Sequence, residues 1–219
     1  MAKPLFDPQQ LPVDGIAGEP AVPAGRLTAA WLRARLADPP RWQPEPQLEF
    51  SARPVPTPAS VLVPLVERAD GITVLLTRRT AHLTDHPGQI SFPGGRAEAF
   101  DDSPVETALR ETEEEIGLHR RHIEVIGVLP DYLTATGYCV TPVVALVTPP
   151  FEVTPDEDEV AEIFEVPLSF LMDGANHQRM SFPLPEGGSR SFYAIPFGPY
   201  FTWGATAGML RNLFHLLRA

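Results

Sequence analysis

The chain has 219 residues, 43% of them hydrophobic, with a formal net charge of -11 and a pI near 4.9; that length suits one domain with extensions. So acidic a surface excludes bulk nucleic-acid binding, because phosphate backbones are held chiefly by Lys and Arg, and the single Cys139 excludes a disulfide framework and a Cys-based zinc site. No apolar run reaches the ~18 residues of a membrane span and none opens residues 1–20, so the expected location is cytoplasmic, away from any membrane.

Twelve of the 26 prolines fall within residues 1–58, which predicts an N-terminal extension poor in regular structure. One helix is expected in it over 27–37, where Leu27, Trp31, Leu32 and Leu36 make an apolar stripe ended by Pro39-Pro40. From Ala59 the pattern changes to that of a folded domain, 59–219. Two β-rich runs, SVLVPLVE and ITVLLTRR, flank Arg68-Ala69-Asp70-Gly71, a hairpin signal. Next comes Phe92-Pro93-Gly94-Gly95, whose glycines permit backbone shapes and close approaches that side chains forbid.

A helix is predicted over 104–116. Ser103 is its N-cap, Pro104 its first residue, Glu106 completes a capping box and Gly117 stops it. Val105, Ala108, Leu109, Thr112 and Ile116 should face inward and the carboxylates a cleft. Further strands are expected near 123–129, 141–147, 163–166 and 189–196, and a closing helix over 203–217. The order predicts an α/β (α+β) fold, a mixed β-sheet sandwiched between helices.

The helix carries the chemistry. Arg110, Glu111, Glu113, Glu114 and Glu115 crowd six consecutive positions. Residues three and four apart share a face, so Glu111, Glu114 and Glu115 repel one another unless a cation lies among them. No Lys follows any of the three at i+4. Hard divalent ions bind such oxygens, and their chief use is to neutralise phosphate oxygens and activate water. Pyrophosphate cleavage is the first expectation.

Gly95, six residues, Asp102, seven residues and Arg-Glu-Thr-x-Glu-Glu-x-Gly-Leu resemble the Nudix box, G-x5-E-x7-REUxEExGU with U aliphatic. The departures are one extra spacer residue, Asp102 for Glu, and Thr112 for an aliphatic residue. Before the box, Leu75-Leu76-Thr77-Arg78-Arg79, His82-Leu83 and Gly88-Gln89-Ile90-Ser91-Phe92-Pro93-Gly94-Gly95 are similar to the signature of coenzyme A pyrophosphatases of that superfamily. After it, Asp131-Tyr132, Gly137-Tyr138, Thr141-Pro142-Val143-Val144, Glu159-Val160, Val166-Pro167-Leu168 and Trp203-Gly204-Ala205-Thr206-Ala207 continue the likeness, which spans about 59–215. Thr84 stands where the signature has Arg.

The resemblance implies a Nudix-type fold and a Mg²⁺- or Mn²⁺-dependent hydrolase that splits coenzyme A or acyl-coenzyme A into 3′,5′-ADP and (acyl-)4′-phosphopantetheine. The alternatives are another nucleoside diphosphate derivative (ADP-ribose, NADH, a dinucleoside polyphosphate, a capped RNA 5′ end) or a non-catalytic nucleotide-binding module. Glu114 and Glu115 would be the main metal ligands, Glu111 a further ligand or the base, and Arg110 the orienting group. The carbonyl of Gly94 or Gly95 would complete the shell, with Gly95 the expected ligand. Glu159 is the later-loop carboxylate. For substrate, Arg78, Arg79, Gly94 and Tyr132 are the expected contacts, with strand alternation sending only one of the two arginines toward the cleft. The expected partner is a small nucleotide, and the superfamily favours a homodimer.

Overall fold

The computed structural model describes residues 7–45, 55–83, 86–184 and 187–219. In chain order they form β1 (Val13–Ile16), α1 (Ala29–Ala37), β2 (Thr57–Arg68), β3 (Gly71–Arg79), β4 (Ile90–Ser91), β5 (Gly94–Arg96), α2 (Pro104–Ile116), β6 (Ile123–Val128), β7 (Tyr132–Leu133) and β8 (Tyr138–Val147). Then come β9 (Val160–Pro167), α3 (Leu168–Leu171), β10 (Gln178–Pro183), β11 (Ser189–Phe197), β12 (Tyr200–Trp203) and α4 (Gly204–Arg218).

Eight strands make one sheet around the order β4-β3-β2-β8-β6, with β5 also on β2, β7 on β8 and β9 on β3. It is mixed: β2 runs parallel to β8 from Thr57↔Tyr138 to Val66↔Val147, and the other pairs are antiparallel. A parallel pair needs both faces covered, and the alternation of β2 supplies both. Leu62 packs with Ala108, Leu109, Val143 and Ala145 under α2. Val63 and Leu65 point the other way, into a core with Val144, Leu146, Leu210, Leu213 and Phe214 of α4. The sheet therefore lies between helices, as expected.

α2 has the predicted ends. Ser103 Oγ accepts the Glu106 N–H at 3.2 Å, and Gly117 closes the helix at φ 66°. Thr112 fills its aliphatic slot by donating its buried hydroxyl to the Ala108 carbonyl at 2.6 Å.

The N-terminal extension is more structured than its prolines suggest. α1 begins after an N-cap at Thr28 and buries Leu32 and Leu36; Leu36 presses on β6, where a Cβ on Gly127 would lie 3.0 Å from it. β1 joins β10, β11 and β12 in a second, antiparallel sheet. Arg211 of α4, 2% exposed, ties this region down by ion pairs to Glu19 (2.7 Å) and Glu45 (2.6 Å). Neither β1 nor β10 was expected from the pattern, since VDGI and QRMSFP show no clean apolar alternation.

Candidate metal and pyrophosphate site

β5 and α2 meet at a glycine contact. The Gly94 N–H donates to Glu115 Oε2 at 3.0 Å. A Cβ on Gly95 would lie 2.6 Å from Glu111 Cδ, so the missing side chain leaves the room that Glu111 occupies. In the β2–β5 ladder the Leu62 N–H bonds the Pro93 carbonyl and the Ala97 N–H bonds the Pro58 carbonyl. Alternation then turns the Gly95 carbonyl toward its partner Ser60 and leaves the Gly94 edge facing α2. Of the two glycines, Gly94 is the one whose backbone reaches a carboxylate, through its N–H.

Arg110 organises the helix face. Its Nε and Nη2 donate to the two oxygens of Asp101, each at 2.9 Å, and its Nη1 donates to Glu111 Oε1 (2.9 Å) and Glu114 Oε2 (2.8 Å). The acid that completes the box is therefore Asp101, not Asp102, which is exposed. Asp101 also accepts the Thr107 hydroxyl and the Glu98 N–H. Its pairing with Arg110 holds it far below the usual carboxylate range.

The other carboxylates are pushed the opposite way. Burial raises Glu111 against the pull of Arg110, and the charges of Glu114 and Glu159 add to it. Glu115 is 6% exposed, and burial first, then Glu159 and Glu111, push it up to about 7 despite the Gly94 N–H and Arg79. Glu159 comes from 44 residues further along because its loop is bonded to the end of α2: Thr154 N–H to the Ile116 carbonyl and Asp156 N–H to the Glu115 carbonyl, both 2.8 Å. The Glu159 carbonyl also accepts the Thr80 N–H at 2.9 Å, at the end of β3. Glu159 is exposed, and its charge acts on both Glu111 and Glu115.

The two arginines divide as alternation requires. Arg79 approaches Glu115 (Nη1 to Oε1 4.0 Å), and its buried Nε has no hydrogen-bond partner among the described residues. Arg78 is turned away and held by Glu162 of β9 at 2.7 Å, so the structure does not bring it to the acidic face. Tyr132 lies apart from the acidic cluster, against α4, where a Cβ on Gly208 would be 2.6 Å from its ring. Thr84 lies outside the described residues.

The NUDIX domain family profile matches residues 56–183. The chain belongs to the Nudix hydrolases. Over 155 residues, 71% of the chain and 80% of the relative, it is 42% identical to an uncharacterized Nudix hydrolase, NudL, of Escherichia coli. Among solved structures it is similar to the Nudix hydrolase RenU of M. smegmatis, at 23% identity and a TM-score of 0.44 over 51% of the chain and 71% of RenU. It is also similar to the NUDIX domain of Shewanella oneidensis NrtR complexed with ADP ribose, at 22% identity and a TM-score of 0.40 over 64% of the chain and 84% of that domain.

Nudix enzymes use divalent metal, and the donor set of this Nudix hydrolase fits a hard one. Carboxylate oxygens and a backbone carbonyl suit Mg²⁺ or Mn²⁺. Two of the carboxylates, Glu111 and Glu115, sit where burial and mutual repulsion oppose their charge. Among the described residues no three acidic or imidazole groups converge as a finished cage. Arg110 and the Gly94 N–H hold the carboxylates instead. Among the described residues no helix is long and apolar enough to cross a membrane.

Proposed function

We propose that the chain is a Mg²⁺- or Mn²⁺-dependent pyrophosphohydrolase of coenzyme A or its acyl thioesters, releasing 3′,5′-ADP and (acyl-)4′-phosphopantetheine. The observation that carries the pyrophosphohydrolase reading is the pair Glu111 and Glu115, desolvated side by side against Gly94-Gly95 with Arg79 as the nearby cation. The coenzyme A assignment is supported by the signature residues from Leu75 to Gly95.

Glu111, Glu114, Glu115 and the Gly94 carbonyl are the groups that would hold the metal. When bound, the ion supplies charge neutralisation on the pyrophosphate and Lewis acidity toward water. The chain's own residues do the rest. Arg110, fixed by Asp101, sets the positions of Glu111 and Glu114. Arg79 offers its Nε–H, which has no partner among the described residues, to an anionic oxygen beside Glu115. The proton of the attacking water passes to a carboxylate among Glu111, Glu115 and Glu159; burial and neighbouring negative charge strengthen the hold of Glu111 and Glu115 on a proton. In-line displacement then needs no covalent enzyme intermediate.

The test is a magnesium-dependent hydrolysis panel of coenzyme A, acetyl-coenzyme A, dephospho-coenzyme A, ADP-ribose, NADH and diadenosine polyphosphates, with products identified by mass spectrometry. Glu114→Gln, whose side chain is mostly exposed, should lower turnover by orders of magnitude with the fold intact. An active Glu114→Gln enzyme removes the metal assignment, and preference for ADP-ribose or a dinucleotide removes coenzyme A while leaving the chemistry.

A further inference from the structure

Beyond the acidic cluster, a cavity of about 450 Å³ opens between the β10–β11 hairpin, the loop joining β7 to β8, and the first turn of α4. Its lining is strongly aromatic, including Tyr132, Phe192 and Trp203. Phe192 and Trp203 meet edge to face at 5.5 Å, an arrangement that fixes both rings. Two arginines, Arg179 of β10 and Arg190 of β11, also line it.

These arginines differ from six others in the chain. In a protein of net charge -11, Arg33, Arg68, Arg78, Arg110, Arg120 and Arg211 are each paired with a carboxylate. Among the described residues Arg179 and Arg190 have no carboxylate partner. Glu45, which also lines the cavity, is already bonded to Arg211 and His215. The cavity thus combines flat apolar walls with cationic groups that nothing in the described structure neutralises. That is the chemistry of a site for an aromatic base carrying an anionic group.

It also shares a wall with the reaction site. Gln89 lines the cavity, and its carbonyl accepts the Arg79 N–H at 2.9 Å. The Ile90 carbonyl accepts the hydroxyl of Thr206, another lining residue, at 3.0 Å. From Gln89 to Gly94 the chain can span at most about 17 Å, within the reach of one nucleotide substrate lying across both.

We propose that this cavity receives the nucleotide half of the substrate, the aromatic base and its phosphorylated ribose, and that Arg179 and Arg190 read the phosphate remote from the scissile bond. The proposal rests on the pyrophosphohydrolase reading and adds to it a specificity site on the second sheet. It makes β10 and β11, and the strand β1 that supports them, the part of the chain that distinguishes coenzyme A from dephospho-coenzyme A.

The experiment is calorimetric titration of 3′,5′-ADP and of 5′-AMP, which need no turnover, into wild type, Arg179→Gln, Arg190→Gln, the double variant and Arg190→Lys. Wild type should bind 3′,5′-ADP about tenfold or more tightly than AMP, the range a lost charge-assisted hydrogen bond spans. Each Gln variant should lose a large part of that preference, the double variant all of it, and Lys should restore a part. With coenzyme A as substrate, KM should rise while kcat is kept, and dephospho-coenzyme A kinetics should not move. Equal binding of the two nucleotides by wild type, or an undiminished preference in the double variant, overturns the assignment. An enzyme that hydrolyses coenzyme A with its preference unchanged in the double variant keeps the reaction and loses this cavity. One that turns over no coenzyme A but binds 3′,5′-ADP through these arginines loses the reaction and keeps it.

Discussion

Two adjacent glycines should fail in different ways when replaced by alanine. At Gly95 the new Cβ would lie 2.6 Å from Glu111 Cδ, 2.9 Å from its Oε1 and closer still to its Oε2, with no other residue as near. That is roughly 1 Å short of a comfortable carbon contact, and the far end of a side chain can move where a strand cannot. Gly95 is not in the positive-φ region, so alanine suits its backbone. Its stability effect should fall within about 1 kcal/mol, helped by a stiffer unfolded chain. Glu111, however, must shift by about that 1 Å, and a misplacement of this size costs on the order of 10²-fold in rate. Gly94 is the converse. It sits at φ 147°, and its Cβ would come 2.5 Å from Val61 Cα and closer still to the Ser60 carbonyl oxygen, both rigid parts of β2. Strain and backbone displacement there should cost ~3 kcal/mol or more. Urea unfolding of both variants, with kcat/KM on the preferred substrate, separates the two effects. Gly95→Ala with wild-type kcat/KM, or with the instability of Gly94→Ala, would refute the argument that Gly95 is small to make room for Glu111.

Two further substitutions probe the buried charges. Glu115, 6% exposed and raised from 4.5 to about 7, is ionised in both folded and unfolded states at pH 8, and the folded state bears the cost. As pH falls through 7 the folded protein takes up the proton first, so stability rises until the unfolded carboxylate also protonates near 4.5. In chelator-treated protein Glu115→Gln should therefore stabilise at pH 8 by ~1–2 kcal/mol, the ~3 kcal/mol of the shift less the weakened Gly94 hydrogen bond. The gain should vanish at pH 4.5, and magnesium should raise the melting temperature of wild type far more than that of the variant; a Gln variant less stable at pH 8 would contradict the desolvation account. Arg211→Met should destabilise by ~3–5 kcal/mol in urea unfolding, because it leaves Glu19 and Glu45 without their shared cation. A loss under about 1 kcal/mol would show that the N-terminal extension is held by its apolar contacts alone.

The parts of the fold legible in the sequence are those whose signals are local. Ser103, Pro104 and Gly117 mark the ends of α2 within a residue, and the β2–β3 hairpin follows from two apolar runs around Ala69-Asp70. Of the second sheet only β11 was legible, because β1, β10 and β12 are short and mixed in polarity. β1 contributes four residues, of which only Gly15 is not exposed, and gains its order from pairing with β10, some 165 positions away. Proline content likewise describes the extension's local backbone and says nothing of Glu19 and Glu45, whose role exists only because α4 presents Arg211 between them.

The acidic site shows the same boundary at finer scale. Helical spacing brings Glu111, Glu114 and Glu115 to the β5 side, but their environments differ: Glu115 is enclosed while the Glu114 side chain is 61% exposed. That difference depends on β5 lying over one flank of α2, which spacing alone does not contain. Counting seven residues back from Arg110 selects Asp102, whereas counting five forward from Gly95 reaches Asp101; the extra spacer residue prevents both counts from agreeing. The structure resolves the choice through hydrogen bonds. Asp101 is turned inward by the Glu98 N–H and the Thr107 hydroxyl, and there it meets both edges of Arg110. Its single charge fixes the guanidinium that in turn spaces Glu111 and Glu114. A substitution at Asp101 should thus act on the reaction through Arg110, while one at Asp102, exposed and one residue away, has no such route.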